Sequence, residues 1–410
     1  MDFEPIRLRI TSLAVGGDGV GRLEDGRVVF VKGGVPGDLV ELEAVSLGKR
    51  MARARAGRVL EASPDRTQPR CPHFGICGGC SWQHIGYAAQ LEAKRQIVRD
   101  ALERIGLLRL EHEVVILESP DPYRYRARAR LVEKAGEVGY RKRGSHDCVA
   151  IRECPILVPS AQAKLRTLID AISAEAEPIR DGARKKRRAD PEWEILAGSA
   201  GRAELYRVGS RDDPVKPVQI EVLGELLRAS PASFVQANCL LWDDLAREVV
   251  GQSLHGEDSQ GARPRRLVEL YAGIGFLTLP LARAGCMGVA FESERAALRD
   301  LAANLDHAGL SDRVRIVAGR VERRSDWKKR FAESDLLVVD PPRVGLAASL
   351  REVIASGGPE RVVYVSCDPA TLARDLRLLL VGGYRVAHLR AFDLFPQTPH
   401  VEVVVRLERT

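Results

Sequence analysis

The sequence predicts a multidomain protein with an N-terminal OB-like β-barrel, a central α+β domain and a C-terminal α/β domain on a largely parallel sheet. Three observations carry that expectation. At 410 residues the chain exceeds what one ordinary core serves. Residues 5–60 alternate like short strands broken by glycine-rich turns. From about residue 265 onward, continuous apolar runs alternate with helical stretches, the pattern of a parallel sheet covered on both faces. The expected divisions are 1–62, 63–232 and 233–410. The composition, 45% hydrophobic and 29% charged, suits a soluble globular protein, and no apolar run is long enough to span a bilayer. The opening "MDFEPIRLRI" has no apolar export region, so a cytoplasmic protein without membrane association is expected, with a monomer as the default. Eight cysteines in a chain this long exclude a disulfide scaffold. A net charge of +7 permits a polyanionic partner without requiring one.

In chain order, "IRLRI", "RVVFV" and "DLVELEAV" are broken by "GGDGVGR", "EDGR" and "VPGD", and Asp25-Gly26 is a hairpin signal. The stretch "VGGDGVGRLEDGRVVFVKGGVPGD" resembles the TRAM domain, an OB-like RNA-binding module; a barrel that only packs on its neighbour would read the same. "CPHFGICGGC" then gathers Cys71, Cys77 and Cys80. In a reducing compartment such a triplet points to metal rather than to a disulfide knot. Zinc held with His73 or His84 is one reading, although only one CxxC knuckle is present. "YAAQLEAKRQIVRDALERIG" has helical periodicity and ends at Gly106. "YRYRARAR" places Arg124, Arg126, Arg128 and Arg130 at period two, on one face of a strand. Four guanidinium groups in that row would follow a nucleic-acid backbone, with Lys142 and Arg143 nearby, or solvate an edge strand. Residues 175–192 and 251–265 read as polar surface insertions, the second marking a domain boundary.

The C-terminal strands are "RRLVELYAG", "MGVAFE", "VRIVAG", "DLLVVDPP", "RVVYVSCDP", "YRVAHLRAFD" and "VEVVVRLER". Only "LFPQTPH" separates the last two, so they form an antiparallel hairpin, expected at the sheet edge. Gly273 and Gly275 in "LYAGIGF" allow a tight turn with close ligand approach, and Glu292 ends the next strand where an acid accepts ribose hydroxyls. The third glycine of a dinucleotide fingerprint is replaced by Thr278. With the hairpin, the pattern resembles class I (Rossmann-like) methyltransferases, which bind S-adenosylmethionine. In "DPPRVGL" the residue after the prolines is Arg343, where amino-group methyltransferases typically place an aromatic, so nitrogen methylation is the weaker reading. "YVSCDPATLARDL" sets Cys367 at the carboxyl edge of the sheet, with Asp368-Pro369 as N-cap and first turn of a helix. A helix N-terminus lowers a thiol's pKa, which predicts a reactive thiolate. The returning hairpin strand brings Glu402 to the same edge, and a thiolate beside a carboxylate suggests covalent addition followed by proton removal.

"SFVQANCL", "ELYAGIGFLTLPLA", "DPPRVGL", "SCDPATLARDL" and "PHVEVVV" stand in the order of the RNA uracil-5-methyltransferases. The chain most resembles the 23S ribosomal RNA members that carry a TRAM domain and an iron–sulfur cluster. The resemblance implies Cys367 as nucleophile and Glu402 as base. It further implies that Gln236, Tyr271, Glu292 and Asp340 contact cofactor or target uracil, with Gly273 and Gly275 in the cofactor loop. Cys71, Cys77, Cys80 and the distant Cys154 would hold a [4Fe–4S] cluster. The implied partner is RNA, 23S rRNA by the N-terminal modules, with a tRNA enzyme as the alternative. An inactive RNA-binding protein on the same fold is the reading from another class. Asp368 departs from the family, where many members carry Asn, and its charge opposes thiolate formation. Cys148, Cys239 and Cys286 read as packing residues.

Overall fold

The structure, a computed structural model, describes residues 6–175, 190–210, 216–256 and 265–410. Most of both expected insertions, and with them the expected boundary near 251–265, lies outside the described residues. The N-terminal strands form one curled six-stranded sheet in the order Arg7–Arg9, Leu39–Leu47, Met51–Glu61, Val28–Lys32, Gly19–Arg22, Ser12–Leu13. Its period-two side chains Val29, Val31, Val40, Leu42, Ala52 and Ala54 turn inward together. Gly26 (φ +84°) makes the expected turn, its amide donating to the Leu23 carbonyl at 2.9 Å. A Cβ at Gly21 would lie 2.7 Å from the Arg9 carbonyl oxygen, so the strands approach there only because the side chain is missing.

The central sheet is antiparallel, in the order Cys148–Ala150, Glu137–Arg141, Arg128–Lys134, Glu192–Ala197, Ala203–Arg207. The helix Pro159–Glu175 covers one face, with Leu165, Leu168 and Ile172 in a core shared with Ala129, Leu131 and Ile195.

The C-terminal sheet has eight strands in the order Val314–Ala318, Met287–Glu292, Arg266–Leu270, Leu336–Val339, Arg361–Ser366, Glu402–Arg409, Tyr384–Phe392, Ile116–Leu117. The terminal hairpin forms as expected, but it is not the edge of the sheet. Glu402–Arg409 is inserted antiparallel between Arg361–Ser366 and Tyr384–Phe392. The helix Pro369–Val381 carries the chain past one strand position, and the returning strand fills the gap. That is why "VEVVV" is a continuous run buried on both faces rather than an alternating one. The outermost position goes to Ile116–Leu117, parallel to Tyr384–Phe392. Residues 87–117, expected in the central unit, therefore join this core. Helix Tyr87–Arg104 lies on helix Pro369–Val381 and puts Leu91, Val98 and Leu102 against it, each buried leucine contributing about 1.5–3 kcal/mol. Lys94 on this helix is fully buried against Asp393, an ion pair joining distant parts of the chain. Among the described residues no helix is long and apolar enough to cross a membrane.

Candidate active site and cysteine cavity

The carboxyl ends of the parallel strands gather the expected residues. After Arg266–Leu270 the backbone enters left-handed conformations at Tyr271 (φ +64°), Gly273 (+59°) and Gly275 (+93°). A Cβ at Gly275 would lie 2.6 Å from Leu279 and 2.8 Å from Leu301, so this glycine permits close helix packing. Around Gly273 the corresponding space is open, as a ligand needs. Glu292 ties the turn down: its Oε2 accepts from the Gly273 amide at 2.8 Å and its Oε1 from the Glu294 amide at 2.7 Å. The Tyr271 hydroxyl donates to Glu322 at 3.0 Å.

Asp340 follows strand Leu336–Val339 and accepts from Gln236 Nε2 at 3.2 Å. Burial pushes its carboxyl up to about 7, against the Gln236 hydrogen bond that favours the charged form. Glu402 is 1% exposed, and its Oε1 has no hydrogen-bond partner. Burial, and then the charge of Asp340, holds its carboxyl well above the usual range, with Arg343 pulling the other way. Ser366 registers opposite Val403, so the next residue, Cys367, comes beside Glu402 as the hairpin argument required.

The thiol itself departs from expectation. Asp368 caps the helix, accepting from the amides of Ala370 and Thr371 at 3.0 and 2.9 Å, and Pro369 fills the first turn. Yet the Cys367 thiol is pushed up to about 12, by burial first and then by Glu402 and Asp340. A helix terminus offers about 0.3–1 kcal/mol, too little against desolvation and carboxylates at close range.

Two further residues lie among these groups, and a third stands two positions before Gln236; sequence reasoning missed all of them. His400 sits two residues before Glu402, and burial with Arg343 and Lys94 nearby lowers it to about 4, so it is neutral at physiological pH. Its signal was the same period of two that runs through "HVEV". Phe234 is 61% exposed just before Gln236, with the Arg128 guanidinium 5.4 Å from its ring centre. Glu269, buried under the glycine turn, is pushed up to about 8 by burial; a carboxylate inside an apolar strand was its only mark.

Cys71, Cys77, Cys80 and Cys154 together line a cavity of about 110 Å³. Cys148, Cys239 and Cys286 do not line it, and of the two candidate histidines only His73 does. Arg126 and Tyr140 complete the wall, the tyrosine hydroxyl 3.8 Å from the Cys154 sulfur. Among the described residues no group of three or more His, Cys, Asp or Glu is gathered tightly enough to hold a metal ion.

The arginine row is not a free basic strip. Alternation holds, with Tyr123, Tyr125, Ala127 and Ala129 buried between the arginines. Regular strand begins only at Arg128, however, and Arg124 is left-handed (φ +48°) and paired with Asp121 at 3.0 Å. Arg126 turns toward the thiols, its Nε donating to the Arg128 carbonyl at 2.8 Å. Arg128 pairs with Glu194, and Arg130 donates to Glu192 at 2.8 Å. Both acids come from the neighbouring strand Glu192–Ala197, more than sixty residues downstream, which the local sequence could not disclose.

Comparison with known proteins identifies the family. A family model described as tRNA (Uracil-5-)-methyltransferase matches residues 226–410, and a TRAM domain model matches residues 1–56. A protein of Aquifex aeolicus described as an uncharacterized RNA methyltransferase is 30% identical, over 100% of this chain and 99% of its own. The 23S rRNA (uracil(1939)-C(5))-methyltransferase RlmD of Aromatoleum aromaticum is 34% identical, over 98% and 99%. Among solved structures, Pyrococcus abyssi tRNA (uracil-54, C5)-methyltransferase in complex with S-adenosyl-L-homocysteine superimposes with a TM-score of 0.76 at 25% identity, covering 98% of this chain and 100% of that one. A TRAM domain, a Rossmann-like catalytic sheet and end-to-end similarity to such enzymes lead to one conclusion: the chain belongs to the RNA (uracil-5-)-methyltransferase family.

Proposed function

We propose that this protein methylates C5 of a uridine in 23S ribosomal RNA through a covalent adduct on Cys367. The observation that carries the mechanism is the register of Ser366 with Val403, which sets Cys367 and Glu402 side by side at the cofactor edge. Uracil C5 is a poor nucleophile until something adds at C6. The Cys367 sulfur adds there, its proton passing to Asp340, and the ring becomes an enolate nucleophilic at C5. S-adenosylmethionine, when bound, supplies the electrophilic methyl group and a sulfonium charge that favours the thiolate. Tyr271, Gly273, Gly275 and Glu292 would hold it, and Gln236 and Asp340 would orient the base. Glu402 then takes the C5 proton, the C5=C6 bond re-forms, and the thiolate is expelled. The uridine must first leave its stack, which costs a few kcal/mol.

Although these thiols are not gathered tightly enough for a single metal ion, their lining one cavity supports a wider [4Fe–4S] cluster on Cys71, Cys77, Cys80 and Cys154. Four thiols are its usual ligand set, the cavity has room for several waters, and Arg126 offers a counter-charge. Such a cluster would clip residues 71–80 to residue 154. A tRNA substrate is the second reading, favoured by the likeness to the Pyrococcus abyssi tRNA enzyme. Mapping 5-methyluridine in ribosomal and transfer RNA from a deletion strain decides between them. The mechanism is tested by Glu402→Gln with unmethylated ribosomal RNA from that strain. The variant should accumulate methylated RNA covalently joined to Cys367, visible as a slow band on a denaturing gel that needs S-adenosylmethionine and disappears with ribonuclease. Normal turnover by Glu402→Gln would assign the base to another residue.

A further inference from the structure

Residues 393–401 connect strand Tyr384–Phe392 to Glu402, and the segment following the cysteine triplet holds them down. The backbone amides of Ser81 and Trp82, immediately after Cys80, both donate to the Gln397 carbonyl, at 3.0 and 2.9 Å. Gln90 and Gln397 are both buried. Gln90 Oε1 accepts from the Gln397 backbone amide at 3.0 Å, while its Nε2 donates to Gln397 Oε1 at 3.0 Å. The same Nε2 reaches the carbonyls of Ile85 and Trp82 at 2.8 and 3.1 Å, so one side chain bonds both the loop and the cysteine-bearing segment. The Tyr125 hydroxyl donates to the Pro396 carbonyl and Lys94 to that of Phe395, each at 2.9 Å. Gln397 is left-handed (φ +67°), a conformation that persists in a non-glycine residue only where its surroundings over-determine it.

The other end of this loop is the base. Glu402 Oε1 has no hydrogen-bond partner, so that oxygen is aimed by backbone position rather than by a polar grip. We propose that Gln90, acting through Gln397, is the positioning residue for Glu402, so that the cysteine-bearing segment governs the proton-removal half of the reaction. This rests on Cys367 as nucleophile and Glu402 as base. In that half the C5–H bond breaks and its proton goes to the Glu402 carboxylate. The freed electron pair becomes the C5=C6 double bond, and the C6–S pair departs with the Cys367 sulfur. Addition and methyl transfer precede this step and do not need Glu402 as a base.

Gln90→Met keeps length and volume while removing every hydrogen bond of the amide. In single turnover with unmethylated ribosomal RNA and labelled S-adenosylmethionine, methylated adduct should form at the wild-type rate. Its breakdown should slow roughly ten- to a hundredfold, the cost of misplacing a catalytic group by about 1 Å. Glu402→Gln is the control. If Glu402→Gln traps adduct while Gln90→Met slows both steps alike, or neither, the positioning proposal is overturned. If Glu402→Gln itself traps nothing, the catalytic reading falls instead. Should Gln90→Met fail to fold, Gln397→Ala keeps the bonds from Ser81 and Trp82 and is read by the same criterion.

Discussion

A carboxyl withdrawn from water holds its proton more tightly, and a second carboxyl facing it strengthens the effect. Asp340 and Glu402 are such a pair, and the consequence for stability has a definite sign. Between about pH 4, where an unfolded aspartate ionises, and about 7, where Asp340 does, the native state keeps a proton that the unfolded chain has released. That stabilisation is complete below pH 4 and is lost as pH rises through 7. Asp340→Asn keeps an acceptor for Gln236 and has nothing to ionise, so its melting temperature should exceed that of the wild type at pH 8 and converge with it toward pH 4. A pH-independent offset in thermal melts would remove Asp340 as the titrating group. Identities at this scale were legible: Cys367, Asp340 and the glycines follow the ends of recognisable strands, and Glu402 begins one. Their proton affinities were not, since the thiol's position near 12 depends on burial and on carboxylates from two other strands.

The helix Pro369–Val381 shows what one capping residue does twice. Asp368 satisfies two amides at the helix start and also adds negative charge beside Cys367. Asparagine caps about as well, so Asp368→Asn should leave stability nearly unchanged and shift the pH profile of adduct formation to lower pH. Asp368→Ala removes the same charge but costs about 1 kcal/mol of stability. Stopped-flow adduct kinetics with parallel melts separate the two effects, and an unmoved profile in both variants would clear Asp368 of influence on the thiol. Elements with a private signature, such as the Asp25-Gly26 hairpin and the parallel strands, were readable because neighbouring residues determine them. The ion pairs of the arginine row were not legible, because Glu192 and Glu194 arrive from a distant strand. The position of Glu402–Arg409 inside the sheet is likewise a property of the crossover, not of the strand's own residues.

Across the whole molecule, the N-terminal half is woven into the catalytic half. The cysteine cavity is a seam within the N-terminal half, between residues 71–80 and Cys154: anaerobically purified protein should be brown with about four iron atoms per chain. Cys154→Ala should lose the colour, while Cys148→Ala, outside the cavity, keeps it. Stoichiometric zinc in place of iron would sink the cluster assignment. Sequence divided the chain into consecutive blocks because patterns are read along it, whereas Lys94 with Asp393 and Gln90 with Gln397 are pairings that only folding reveals. Ile116–Leu117 gives this weaving a schedule. On a ribosome adding about 5–20 residues per second, the partner strand of Ile116–Leu117 emerges roughly 15–50 s after it. Throughout that wait the short strand, the Leu91, Val98 and Leu102 face of helix Tyr87–Arg104 and Lys94 lack their C-terminal partners. The nascent enzyme therefore reaches its catalytic geometry late and all at once, and an incomplete chain offers chaperones the sticky surface that the finished one hides.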